Sequence, residues 1–168
     1  MDLSQIIRDT PFVVVGGIAT RLYMPERVTY DLDILVRSAD TDRVDVELRA
    51  SGTRKLGELS IGGGQWRLAD GTSLDVIASA EPWVQAALEN PQTGPEGLPY
   101  IALPYLVIMK LQASRAQDVA DVSRMLGGAD EQALREVRAA VQTYMSDATE
   151  DVESLITLGK LEFDEGQR

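Results

Sequence analysis

The chain contains neither cysteine nor histidine. Those two absences together remove disulfides, thiolate zinc sites, cysteine nucleophiles and histidine general bases. Any catalysis must rest on carboxylates, lysine, hydroxyls and a bound metal. Positive charge is also scarce: 27 acidic residues face 16 basic ones, for a formal net charge of -11. A protein that wraps a long stretch of duplex DNA needs a basic footprint, so that partner is not expected. A local basic groove for a nucleotide or an RNA end stays open. No apolar run approaches the roughly 20 residues that span a bilayer. The stretch Met1-Asp-Leu-Ser-Gln-Ile-Ile-Arg8 lacks the basic region and apolar core of a secretory signal. No membrane partner and a cytoplasmic location are therefore expected.

What remains is ordinary for a globular chain: 168 residues, 44% of them hydrophobic, enough to bury a core. A short helix is expected around Leu3 to Arg8, capped by Asp2 or Ser4. Phe12 to Val15 reads as a buried strand broken by Gly16-Gly17, with a helix over Ile18 to Tyr23 and a second strand over Thr29 to Val36. Asp40 or Thr41 can cap a helix that runs to Leu48 and ends at Gly52. Strands follow at Leu59 to Ile61 and Gln65 to Leu68 around a Gly62-Gly63-Gly64 turn. Asp70-Gly71 is a hairpin signal leading into Ser73 to Ile77, which places Asp75 in mid-strand. Asn90 to Pro99 is turn-rich and marks a boundary, giving a core over 1–98 and a helical part over 99–168 packed on it. In that part, helices open at Leu103-Pro104, at Asp118, after Asp130, and at an Asp147/Glu150 capping box.

Chemistry concentrates in three places. Asp31 and Asp33 alternate with Leu32 and Ile34, so on a strand they share a face. Two like charges that close favour a cation between them, and magnesium takes carboxylate oxygens. Asp75 repeats the pattern, one carboxylate in an apolar strand. Buried acids are costly unless paired or metal-bound; ion pairs with Arg21, Arg27 and Arg67 are the alternative. A strand running into Gly-Gly and then a helix lets backbone N–H groups approach a phosphate, although a tight turn needs the same glycines. Of the basic residues here, Arg27 is the better placed to neutralise phosphate. Trp66 reads as core, with base stacking as the alternative.

The combination of Gly16-Gly17, Asp31-Leu32-Asp33 and Leu74-Asp75-Val76 resembles the polymerase-beta-type nucleotidyltransferase superfamily. The stretch Leu103-Pro-Tyr-Leu-Val-Ile-Met-Lys-Leu-Gln-Ala113, followed by Arg115, Asp118 and Asp121, is similar to its abortive-infection and toxin-type branch. The resemblance implies an α/β fold, a small mixed sheet flanked by helices with a helical C-terminal part. It also implies transfer of a nucleoside monophosphate from an NTP to a hydroxyl. Asp31, Asp33 and Asp75 would hold two magnesium ions, with Asp75 alternatively activating the acceptor. Gly16 and Gly17 would contact the triphosphate, Lys110 the triphosphate or base, and Asp118 would orient it. A surface lysine at a helix end and first-turn acids are the plainer accounts of Lys110, Asp118 and Asp121. The acceptor is open among an RNA end, a protein and a small molecule, and a toxin role would bring a cognate antitoxin. A non-catalytic nucleotide-binding module on the same fold is the rival reading.

Overall fold

The computed structural model describes residues 3–27, 29 and 31–166. They divide into two compact units, Met1–Ala19 with Val28–Ile101 and Thr20–Arg27 with Ala102–Arg168. Among the described residues no helix is long and apolar enough to cross a membrane.

The first unit is built on a mixed sheet of seven strands with flanking helices, the architecture expected. Its elements are α1 (Leu3–Ile6), β1 (Val13–Val15), α2 (Gly16–Thr20), β2 (Leu32–Arg37), α3 (Thr41–Ala50), β3 (Arg54–Glu58), β4 (Gly63–Arg67), β5 (Ser73–Ser79), α4 (Trp83–Glu89), β6 (Gln92–Thr93) and β7 (Pro99–Tyr100). The spatial order is β3-β4-β5-β2-β1-β7-β6. β2 runs parallel to β5, and β1 parallel to β7; the other neighbours are antiparallel. β5 alternates buried Leu74, Val76 and Ala78 with half-buried Ser73, Asp75, Ile77 and Ser79. One face of the strand is thus core and the other open. Arg49 of α3 stacks 5.4 Å over the Trp66 ring, which puts α3 on the core face.

Several boundaries differ from the sequence expectation. The helix expected from Ile18 starts two residues earlier, with the glycines as its first turn, and ends at Thr20. The second strand begins at Leu32, leaving Asp31 ahead of it, while Val28 and Tyr30 lie outside the described residues. Asp2, one of the two candidate caps for the first helix, lies outside them too. The expected strand at Leu59 to Ile61 is a turn. Its true position is β3, and Gly63 and Gly64 belong to β4. A Cβ on Gly63, whose φ is +95°, would collide with the Val76 carbonyl, so only glycine brings β4 this close to β5. The turn-rich stretch from Asn90 hides the β6–β7 hairpin at the sheet edge, and α4 carried no clear sequence signal.

The second unit contains α5 (Leu103–Ala113), α6 (Ala116–Gly127), α7 (Glu131–Tyr144) and α8 (Thr149–Gly166). Pro104 sits in the first turn of α5, where its missing N–H costs nothing. Asp130 caps α7 by accepting from the Ala133 N–H at 2.8 Å, as expected. The Asp147/Glu150 box is replaced by a 3-10 turn over Ser146–Ala148, with Asp147 inside it. α6 and α8 approach so closely that a Cβ on Gly159 would strike the Ser123 carbonyl and the Gly127 backbone.

Candidate active site

β2 and β5 are parallel and in register, so Asp33 stands directly opposite Asp75. Paired residues on adjacent strands share a face and lie roughly 4.7–4.9 Å apart across the ladder. Both aspartates are half-buried, whereas Ile34, Val36, Leu74 and Val76 on the opposite face are buried. β4 extends the row: Gln65 is the register partner of Asp75, and its Nε2 donates to Asp75 Oδ1 at 3.1 Å.

β1 brings in the glycines. Val15 pairs with Asp33, and the chain turns at Gly16 with a φ of +65°. A Cβ at position 16 would collide with the Asp33 carboxylate, so glycine is required by both the backbone conformation and the approach of that side chain. A Cβ at Gly17 would lie 2.7 Å from Thr29 Oγ1. The Gly-Gly turn therefore seats the side chains of Asp33 and Thr29 against the backbone.

Asp31 is exposed and precedes β2. Among the described residues no three carboxylates are gathered into a group that could hold a metal ion. Asp33 and Asp75 supply two. Magnesium is commonly held by one or two carboxylates completed by substrate phosphates. This donor pair, hard oxygens one strand apart on an open face, fits one such ion, and a second would draw on Asp31.

No protein-family model matches the chain, and no curated protein matches it. Solved structures do resemble it, and they are nucleotidyltransferases. The antibiotic-resistance factor ANT(2'')-Ia is 16% identical, with a TM-score of 0.48 over 99% of this chain and 97% of that one. The lincosamide antibiotic adenylyltransferase LnuA is 13% identical, with a TM-score of 0.44 over 83% of this chain and 90% of its own. A CCA-adding enzyme in complex with CTP is 16% identical, with a TM-score of 0.41 over 80% of this chain and 40% of its own.

The remaining expected residues belong to the second unit, where they form a buried network. Lys110 of α5 donates from Nζ to Asp121 Oδ2 at 2.8 Å and to Asp118 Oδ1 at 3.2 Å. Arg115 Nε donates to Asp118 Oδ2 at 2.5 Å, and Gln117 Nε2 to Asp121 Oδ1 at 2.8 Å. Arg27 Nε lies 3.5 Å from Asp121 Oδ2. Lys110 is 6% exposed, Asp118 3% and Asp121 1%, so Lys110 is not the surface lysine of its plainer account, while Asp118 does lie in the first turn of α6, as its own has it. Burial pushes the Asp118 carboxyl up, but its bonds from Arg115 and Lys110 outweigh that and hold it below the ordinary value. Tyr23, in the same unit, is pushed up to about 12 by burial, partly offset by a hydrogen bond with the Leu103 backbone.

Arg67 is exposed and donates to the Gly71 carbonyl at 3.1 Å. Trp66 is fully buried, which settles it as core and removes base stacking. Sequence reasoning missed Thr29, Gln65 and Gln117. Counting outward from a two-residue Asp70-Gly71 turn would set Trp66 against Asp75; Leu68 pairs with Thr72 instead, and the one extra loop residue, Ala69, brings Gln65 to Asp75.

Proposed function

We propose that this chain is a magnesium-dependent nucleotidyltransferase that moves a nucleoside monophosphate from an NTP to a hydroxyl acceptor and releases pyrophosphate. One observation carries the reading: Asp33 faces Asp75 across parallel strands, with the Gly16 turn against the Asp33 carboxylate. Magnesium bound by Asp33 and Asp75, with Asp31 the candidate third ligand, would neutralise charge on the triphosphate. Asp75, steadied by Gln65, accepts the acceptor's proton. The acceptor oxygen then bonds to the α-phosphorus as the bond to pyrophosphate breaks. Backbone at Gly16 and Gly17 lies against the triphosphate. Lys110 and Asp118 take nucleotide-binding parts in this reading on their sequence resemblance, and Arg27 on its place in the sequence between the glycine turn and Asp31. An RNA end such as that of tRNA, a protein hydroxyl and a small molecule such as an antibiotic are the acceptor classes it admits. A toxin role would add a cognate antitoxin.

Transfer of label from α-labelled NTPs to these acceptor pools, with magnesium present, tests the proposal. Asp33→Asn and Asp75→Asn should each lose transfer while keeping the wild-type melting temperature. Undiminished transfer by Asp33→Asn would overturn it. A second reading, a nucleotide-binding module without turnover, draws support from the absence of a three-carboxylate group among the described residues. Magnesium-dependent NTP binding with no transfer to any pool would favour that reading.

A further inference from the structure

The open face of the sheet continues past Asp75. Register sets Gln65 beside Asp75, Arg67 beside Ser73, and Arg54 beside Arg67. Residues two apart on a strand share a face, so Arg54, Gln65 and Arg67 lie on the face of Asp33 and Asp75, and all three are exposed. Their neighbours Lys55 and Trp66 face the other way, since Lys55 pairs with Asp45 of α3 at 2.8 Å and lies over the Trp66 ring.

Two arginines directly opposite each other across an antiparallel pair repel. The chain has acids in excess, 27 against 16, and it pairs Arg37, Arg43, Arg115 and Arg138 with carboxylates. Neither Arg54 nor Arg67 has a carboxylate within ion-pair distance among the described residues. Packing does not account for them either, because both are exposed. A repulsive pair left without counter-charge, one member of it diagonal to a candidate general base, is suited to an anion supplied from outside.

We infer that Arg54 and Arg67 form the acceptor subsite and receive a phosphate that neighbours the attacking hydroxyl, an inference that rests on the nucleotidyltransferase reading above. Arg67 is the diagonal neighbour of Asp75 on this face, roughly 7–8 Å away and within reach of long side chains, and Arg54 stands beside it one strand further out. Guanidinium forks suit phosphate oxygens. A 3′-terminal nucleotide has the required layout, a free hydroxyl and a phosphate on one sugar. A polycationic acceptor would need carboxylates where these arginines stand.

The test is binding of a short 5′-labelled oligoribonucleotide with a free 3′ hydroxyl to the full chain, wild type against Arg54→Gln/Arg67→Gln. The double variant should weaken binding about tenfold or more and reduce the salt slope by about 0.7, the share of one phosphate on a single strand. Its melting temperature should not fall, since the substitution relieves repulsion. A nucleoside monophosphate that competes as well as the oligonucleotide would identify a small phosphorylated acceptor, and failure to compete would identify an RNA end. Equal binding by wild type and variant, or no binding of either probe by the wild type, would overturn the subsite. Release of nucleoside monophosphate from an NTP into water by the wild type is measured separately. Its failure would count against the enzymatic reading and leave the subsite to the binding result.

Discussion

Removing the ammonium of Lys110 would leave Asp118 and Asp121 facing each other with side chains only 4% and 1% exposed. Breaking a buried ion pair from one side typically costs about 3–5 kcal/mol, because the orphaned charge stays desolvated. Lys110→Met should therefore lower the unfolding free energy read from a urea series by about that amount, seen as a lower midpoint of the helical signal. Replacing Lys110, Asp118 and Asp121 together by apolar residues should cost much less. The pH dependence has a definite sign. The folded-state value of Asp118 is held below its ordinary 3.8, so its contribution is present above that value and is lost as pH falls through the folded-state value. The stability gap between wild type and Asp118→Asn should therefore close on acidification. A gap that persists at the acid limit would contradict the assignment. At this scale the sequence exposed Asp33 and Asp75 as chemically odd residues, and only the family resemblance singled out Lys110. The sequence could not expose the burial of Lys110, which depends on α6 supplying both carboxylates one and two turns along a different helix.

Between elements, the contact of α6 with α8 turns on glycine. Gly159→Ala would place a methyl group on the Ser123 carbonyl and the Gly127 backbone. Neither is the flexible end of a side chain, so the helices must separate. Overpacking of this kind costs about 1–3 kcal/mol, readable as a lower melting temperature with helicity retained. Elements with a strong periodic pattern were legible from sequence: α5, α7 with its Asp130 cap, and β5 with its alternation. β3 was not, because Arg54-Lys-Leu-Gly-Glu58 at a sheet edge carries neither apolar alternation nor a turn signal. β6 and β7, two residues each, are defined by pairing rather than by composition. Gly62 to Gly64 misled for a related reason: glycines that permit close strand approach look, in sequence, like glycines that make a turn.

For the whole molecule, sequence pattern gave fold class but not strand order. The parallel β2–β5 contact that joins Asp33 to Asp75 is made between strands far apart in the chain, and only the motif resemblance anticipated it. The assignment of Thr20–Arg27 to the helical unit was likewise invisible, since no composition shift marks either end. The chain's two tryptophans, Trp66 and Trp83, both lie in the sheet-bearing unit and are 0% and 2% exposed. Their emission should thus be blue-shifted in the native protein, and its red shift on denaturation reports that unit alone. Far-ultraviolet circular dichroism, by contrast, is weighted toward α5 to α8. Monitoring one denaturation series with both signals turns a placement of indoles into a measure of cooperativity: coincident curves mean that the units melt together, and separated curves give each its own stability.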